Sequence, residues 1–197
     1  MLASTSRYRR ELLGRLGLPF DVVAPGVDET PLPHEAPAAA ALRLAEAKAR
    51  AVARGLPDGL VIGSDQVADL DGRHIGKPGG YDQAFAQLRI LSGQTVVFHT
   101  GVALCDAASG RCRTALVDVT SVFRVLDDAE IDDYLRREAP FDCAGSVRSE
   151  ALGIALFERI SSDDPSALIG LPLIAVTGLL RAEGVAVLGA APATAAE

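Results

Sequence analysis

Positive charge is in short supply in this chain of 197 residues. It has 19 lysines and arginines against 26 aspartates and glutamates, which gives a formal net charge of −7. A protein with this balance repels polyanions, so the composition argues against partners such as a nucleic acid polymer or a negatively charged membrane surface. Any phosphate chemistry must therefore depend on a local cluster of cations.

Long apolar segments and cysteines are also scarce. No apolar stretch reaches the roughly 18 residues that a membrane-spanning helix needs, and the N-terminus lacks the charged-then-apolar order of a secretory signal. The cysteines are three in number, Cys105, Cys112 and Cys143, and an odd set of this size does not make a disulfide framework. We therefore predict a cytoplasmic protein in a reducing compartment.

Several common catalytic and metal-binding motifs are missing. The chain has no Walker A sequence, no G-x-G-x-x-G after a strand and no G-x-S-x-G. His34, His74 and His99 show no metal-ligand spacing, and Cys105 and Cys112 flank a turn without forming a C-x-x-C motif. We interpret these histidines and these two cysteines as structural.

The order of apolar patterns and turn signals predicts a mixed α/β fold. Helical spacing indicates helices over about 7–16 and 38–54, and the apolar run "GLVIGSD" predicts a buried strand that ends near Asp65. The segments "QTVVFHTGVALCD" and "RCRTALVDVTSVFRV" predict a long antiparallel hairpin. We expect an elongated, twisted mixed sheet flanked by helices, as one domain over 1–190 with a flexible tail over 191–197.

The opening segment "STSRYRR" combines hydroxyl groups and arginines at the start of a predicted helix. The free amides and the dipole of a helix N-terminus favour a phosphate there, with Ser4 and Arg9 beside it. A simpler alternative is that Ser6 only caps the helix and the arginines face solvent.

Further candidates are scattered along the chain. Asp65 follows an apolar strand, where open α/β sheets place their ligands, although it could be an ordinary turn aspartate. Glu29 lies beside Asp28 in a proline-rich loop, and such a pair either holds Mg²⁺ or simply faces water. Lys48 and Lys77 each look like surface residues, but together with Arg9 they could neutralise most of a triphosphate.

Six motifs in order across nearly the whole chain carry a family resemblance. The segments "STSRYRRELL", "VDET", "EAKA", "IGSDQV", "GKP" and "CAGSVRSEALG" resemble the Maf family of nucleoside triphosphate pyrophosphatases. This resemblance implies hydrolysis between the α and β phosphates, which yields a nucleoside monophosphate and pyrophosphate with the help of Mg²⁺ or Mn²⁺. It also implies a Maf/ITPase-like fold and a homodimer.

The resemblance assigns roles position by position. Asp65 matches the family's catalytic aspartate, which activates water and could also ligate the metal, and Glu29 matches its acidic loop residue, a second candidate metal ligand. The residues that match phosphate-facing positions are Ser4, Arg9, Lys48 and Lys77.

Three further positions bear on which base is recognised. Tyr8, Gln66 and Glu150 resemble the branch of the family that acts on 7-methyl-GTP, whereas the dTTP/UTP branch would have Arg, Thr and Gln there. N7-methylguanine is positively charged, so an aromatic face and a carboxylate suit it. The alternatives are a pyrophosphatase for dTTP/UTP or an inosine-type nucleotide, and a nucleotide-binding regulator of cell division without turnover.

The chain departs from the family pattern at its start. Arg7 stands where the family usually has proline, at the first helical position, and the first strand is unusually short. Because proline is pre-organised for that position, its loss predicts a slightly looser helix start.

Overall fold

The computed structural model describes residues 1–189, so the predicted tail over 191–197 lies outside the described residues. Five α-helices in this range alternate with strands. The strands are β1 (Leu2–Ala3), β2 (Val22–Val23), β3 (Leu60–Leu70), β4 (Arg73–Ile75), β5 (Thr95–Asp106), β6 (Cys112–Phe123) and β7 (Phe157–Ser161). The helices are α1 (Arg7–Gly14), α2 (Pro37–Ala53), α3 (Tyr81–Leu91), α4 (Asp128–Glu138) and α5 (Leu173–Ala182).

The strands form one mixed sheet in the order β2-β1-β3-β5-β6-β7, and β4 pairs with the far end of β3. Strand β1 runs parallel to β2 and β3, whereas the remaining pairs are antiparallel. Strands β5 and β6 are the long hairpin that the sequence predicts. The mixed α/β fold class is thus confirmed.

The sheet has a gap beside β3, and this corrects one prediction. The strand does not end at Asp65 but continues to Leu70. On one edge of β3, pairing with β1 stops opposite Gly63 and pairing with β4 begins only at Ala68. The antiparallel partner β5 keeps the strand extended along its other edge. The residues from 64 to 67 therefore face an opening in the sheet.

Helix α2 lies unusually close to the sheet because two strand positions are glycine. A Cβ at Gly63 would come 2.3 Å from the carbonyl oxygen of Ala45, and one at Gly101 would come 2.4 Å from that of Ala41. Real Cβ atoms do not approach a backbone oxygen so closely, so these positions need glycine. This contact brings the inner face of α2, including Lys48, against β3.

Three apolar clusters hold the elements in place. One lies between the sheet and helices α3 and α4, a second lies under α1 and α5, and a third joins α2 to the sheet. Their buried members include Phe98, Phe123, Leu88 and Ile131 in the first, Leu2, Leu12 and Val176 in the second, and Ala45, Ala49 and Val61 in the third.

No helix within residues 1–189 is long and apolar enough to cross a bilayer.

The hairpin also pairs two cysteines, which the sequence analysis did not predict. Cys105 and Cys112 are direct cross-strand partners at the turn end of β5 and β6, with their Cα atoms 4.1 Å apart and their sulfur atoms in contact. Directly opposed positions of an antiparallel pair bring the two side chains together on one face of the sheet. Cys143 is unpaired within the described range.

Candidate active site

The gap in the sheet opens into a cavity of about 560 Å³. Its walls come from the start of α1, the loop before α2, the inner face of α2, the middle of β3, the loop after β4 and the segment that follows α4. All nine residues that the sequence analysis singled out line this cavity: Ser4, Tyr8, Arg9, Glu29, Lys48, Asp65, Gln66, Lys77 and Glu150. Asp28, the acidic neighbour of Glu29, does not line it.

Lys48 lies at the centre of the charged wall. Its side chain is almost fully buried, and its Nζ is 2.6 Å from Asp65 Oδ1 and 2.7 Å from Glu29 Oε1. Lys77 approaches the other oxygen of Glu29 at 3.8 Å from the exposed side. The two carboxylates that the sequence analysis assigned to a metal are therefore joined through one ammonium group.

The charges around Glu29 set its protonation state. Partial desolvation works to raise its pKa, but the hydrogen bond and charge of Lys48, helped by Lys77 and Arg9, hold the pKa below its ordinary value of 4.5. Glu29 is thus ionised at neutral pH. It can accept hydrogen bonds or ligate a cation.

Arg9 is held against the protein rather than solvated. Its Nε donates to the carbonyl oxygen of Gly170 at 2.8 Å, while burial lowers the pKa of its guanidinium and the nearby Asp65 and Glu29 oppose that shift. Ser6 does cap α1, because its Oγ accepts from the Arg9 amide at 3.4 Å. Helix α1 begins at Arg7 despite the missing proline.

Tyr8 also lines the cavity. The guanidinium carbons of Arg7 and Arg148 lie 4.7 Å and 5.6 Å from the centre of its ring, and Arg7 also donates to its hydroxyl at 2.8 Å. Glu150 lies near it, with Oε1 3.5 Å from Arg148 Nε. An aromatic ring and a carboxylate, both in contact with Arg148, therefore line the same cavity.

Gln66 reaches the cavity wall with its amide group already engaged. The two hydrogens of its Nε2 are shared among three acceptors, Thr100 Oγ1 at 3.0 Å and the carbonyl oxygens of Ala167 and Leu168 at 2.9 and 3.0 Å. Its carbonyl oxygen is then the polar atom left to face a ligand. Gln66 also fixes the turn that carries Gly170, the acceptor of Arg9.

Sequence reasoning missed three contributors to this site. Asp164 is buried and accepts from the amides of Ile174 and Ser166, which anchors the turn before α5. Arg148 lies between Tyr8 and Glu150, and Cys143 lines the cavity. Desolvation, with the charge of Asp142, raises the pKa of the Cys143 thiol to about 12, so it is neutral at pH 7. The motif "CAGSVRSE" contains Cys143 and Arg148 and was the only sequence signal that pointed to any of the three.

The carboxylates present fit a divalent cation shared with a ligand. Within residues 1–189, no group of three or more His, Cys, Asp or Glu side chains converges as a self-sufficient metal site. Glu29 and Asp65 nevertheless meet at one ammonium group in the cavity wall. Mg²⁺ is usually held by one or two carboxylates together with waters and substrate phosphates, so the pair fits that pattern.

Comparison with known proteins identifies a family and several relatives that this chain resembles. Residues 1–183 match the model of the family described as "Maf-like protein". The chain is 60% identical over 186 residues to the 7-methyl-GTP pyrophosphatase of a Polaromonas species, covering 94% of this chain and 85% of the relative. It is 58% identical over 200 aligned positions to the protein of that name from Burkholderia pseudomallei, covering 100% of this chain and 93% of the relative. A third 7-methyl-GTP pyrophosphatase, from Thiobacillus denitrificans, is 57% identical over 188 residues, covering 95% and 94%.

Proposed function

The chain belongs to the Maf family, and from that premise we propose that it is a nucleoside triphosphate pyrophosphatase whose preferred substrate is 7-methyl-GTP. It hydrolyses the anhydride between the α and β phosphates to give 7-methyl-GMP and pyrophosphate. Relatives at 57–60% identity that carry this name support the substrate.

One observation carries the proposal beyond the family name. A single cavity is lined both by a cluster of cations and carboxylates (Arg9, Lys48, Lys77, Glu29 and Asp65) and by an aromatic ring with a further carboxylate (Tyr8 and Glu150). A triphosphate needs the first set and a positively charged base suits the second. The cavity therefore matches the two chemically different ends of 7-methyl-GTP.

Asp65 is the residue that we propose to activate water. Within residues 1–189 its carboxylate has one protein partner, Lys48, so Oδ2 has no protein hydrogen bond on the cavity side. As general base it takes a proton while the water oxygen forms a bond to one phosphorus of the anhydride. The bridging P–O bond breaks, and the departing phosphate group leaves with the electron pair.

The cations hold the triphosphate in place. Arg9, Lys48 and Lys77 surround the carboxylate pair, and Ser4 adds a hydroxyl close to the start of α1. Positioning and charge neutralisation are the main contributions a protein makes to phosphoryl transfer. This local group of cations lets a protein of net charge −7 bind a polyanion.

A divalent cation, Mg²⁺ or Mn²⁺, completes the proposed site. Glu29 and Asp65 would hold it together with the phosphate oxygens. When bound, it withdraws charge from the phosphates and so makes the anhydride easier to attack.

Tyr8, Glu150 and Gln66 would recognise the base. The Tyr8 ring would stack on a cationic purine in place of the Arg7 guanidinium that lies over it in this structure, and the Glu150 carboxylate can accept hydrogen bonds from the guanine N1–H and amino group. Gln66 offers its carbonyl oxygen, since its amide group is engaged by the protein.

The test is pyrophosphate release from 7-methyl-GTP, GTP, dTTP, UTP, CTP and ITP in the presence of Mg²⁺ or Mn²⁺. We expect 7-methyl-GTP to give the highest kcat/KM and Asp65→Asn to reduce kcat by about 10²–10⁴ while nucleotide affinity stays within severalfold. Release from no triphosphate, or equal activity of Asp65→Asn, would contradict the proposal. Preference for dTTP or UTP would contradict 7-methyl-GTP as the substrate but would agree with the proposed pyrophosphatase reaction.

Two further features of the proposal come from the sequence and the family resemblance. We place the enzyme in the cytoplasm, where nucleotide pools are maintained, and we expect it to form a homodimer. Sedimentation of the purified protein tests the second point, and a monomer at all concentrations would contradict it.

A further inference from the structure

Arg148 joins the two residues that flank the proposed base site. Its guanidinium lies over the Tyr8 ring at 5.6 Å, and its Nε is 3.5 Å from Glu150 Oε1. The same side chain donates from Nη1 to Glu138 Oε2 at 3.3 Å. Within residues 1–189 this is the one ion pair of Glu150, so Arg148 is its main anchor.

The backbone of Arg148 is held firmly enough to aim this side chain. Its amide donates to the hydroxyl of Tyr134, which is itself buried, and its carbonyl accepts from the amides of Ala151 and Gly153. Any Cβ at Gly153 would come 2.5 Å from the Arg148 carbonyl oxygen, so glycine there permits the turn. Because the backbone of Arg148 is fixed in this way, its side chain extends from a well-defined position.

One donor of Arg148 is left without an acceptor. Its Nε is buried and makes no hydrogen bond, although Glu150 Oε1 is only 3.5 Å away. A buried N–H without an acceptor is unfavourable, so it attracts the nearby Glu150 carboxylate and helps to hold that carboxylate beside Arg148.

We propose that Arg148 is a positioning residue that sets base specificity by holding Tyr8 and Glu150 at a fixed separation. The inference rests on the proposed function, because it assigns Arg148 to the base end of that same site. Arg148 does not line the cavity, so it acts through its two neighbours rather than on the base. The planar guanidinium suits this role, since it can stack on a ring and pair with a carboxylate at once.

Removal of Arg148 changes the binding of 7-methylguanine in opposite directions depending on whether Arg148 positions its neighbours or repels the cationic base. Arg148 is a cation, and 7-methylguanine is a cation too, so removing Arg148 would by electrostatics alone strengthen binding of that base. If Arg148 positions Tyr8 and Glu150, its removal must weaken binding instead. The two roles therefore predict opposite changes.

The experiment compares Arg148→Met, Arg148→Lys and the control Arg137→Met, whose exposed side chain pairs only with Asp133 on α4. Calorimetry with 7-methyl-GMP and GMP measures base recognition without turnover, and kcat and KM for 7-methyl-GTP follow. For Arg148→Met we expect about tenfold weaker binding of 7-methyl-GMP, little change for GMP and a KM effect larger than any kcat effect. Arg148→Lys keeps the charge but loses the planar group, so it should fall in between.

Three results would overturn the inference. They are unchanged or tighter 7-methyl-GMP binding in Arg148→Met, equal losses for 7-methyl-GMP and GMP, and an equal effect of Arg137→Met. If Arg148→Met does not fold, wild-type selectivity in Arg148→Lys would overturn it equally. Failure of the proposed function looks different, because the wild-type protein itself would then release no pyrophosphate.

Discussion

The Nζ of Lys48 lies 2.6 Å from Oδ1 of Asp65, in a buried contact between the inner face of α2 and the open middle of β3. The same ammonium touches Glu29 at 2.7 Å. In this state Lys48 occupies the oxygens that the proposed metal would use. Its charge is then unavailable to a triphosphate until those oxygens take another cation.

Replacing Lys48 should therefore change metal binding in the absence of nucleotide. Lys48→Met leaves Asp65 and Glu29 without the cation that bridges them, so we expect Mn²⁺ to bind the nucleotide-free protein about tenfold more tightly, a gain of about 1.4 kcal/mol. Pyrophosphatase activity should fall, because the same change removes a phosphate contact. Titration calorimetry or the Mn²⁺ paramagnetic resonance signal measures the affinity.

Lys77→Met is the matched control for this experiment. Lys77 is exposed and, among residues 1–189, forms an ion pair only with Glu29, at 3.8 Å, so its loss should alter Mn²⁺ affinity much less. Equal Mn²⁺ affinity in the wild type and Lys48→Met, with circular dichroism showing both folded, would contradict the prediction.

Close packing of α2 on the sheet should be sensitive to a single methyl group. In Gly63→Ala the new Cβ would meet the Ala45 carbonyl at 2.3 Å, so the helix must move and we expect a loss of about 1–3 kcal/mol in the free energy of unfolding. Gly178→Ala in α5, where nothing lies within 4 Å, should instead be neutral or stabilising by up to about 1 kcal/mol. Urea unfolding measures both, and similar values for the two variants would contradict the packing argument.

The ring of Tyr8 should matter more than its hydroxyl. Tyr8→Leu removes the face that would stack on a cationic base, so KM for 7-methyl-GTP should rise about tenfold while that for GTP changes less. Tyr8→Phe keeps the ring and loses only the hydrogen bond from Arg7, so it should stay near the wild type. A larger effect of Tyr8→Phe than of Tyr8→Leu would show that the hydroxyl carries the interaction.

The sequence predicted much of this fold because its patterns are local. The paired strands of the β5–β6 hairpin and the extent of α2 follow from apolar spacing and turn residues. Ordered motifs also identified the nine residues that meet in the cavity. The signals for the hairpin and the helix lie within a few residues of the element they predict, whereas the nine cavity residues were identified through the family resemblance of motifs spread along the chain.

Features that depend on pairing across the chain could not be predicted in the same way. The position of Asp65 inside a strand depends on where β1 stops and β4 begins, which no local pattern records. The Cys105–Cys112 pairing depends on the register of two strands, and the placement of Arg148 depends on α1 meeting a distant turn.

Glu35 provides a test at acidic pH. Its hydrogen bonds from Arg43 and, to a smaller extent, from the Leu32 amide lower the pKa of its carboxyl from 4.5 to about 2. Its backbone carbonyl also contacts His74, which lines the cavity. A carboxyl whose pKa is lowered by folding stabilises the protein fully above its unfolded pKa and loses that effect as pH falls through the folded value.

We therefore expect Glu35→Gln to lower the Tm most at pH 7. The difference from the wild type should persist down to about pH 4.5 and shrink progressively toward pH 2, as Glu35 itself becomes protonated. Glu46→Gln, which breaks only the exposed pair with Arg50 on α2, is the control and should change the Tm little. A difference that stays constant between pH 7 and pH 3, or equal effects of the two variants, would show that the charge of Glu35 does not stabilise this loop.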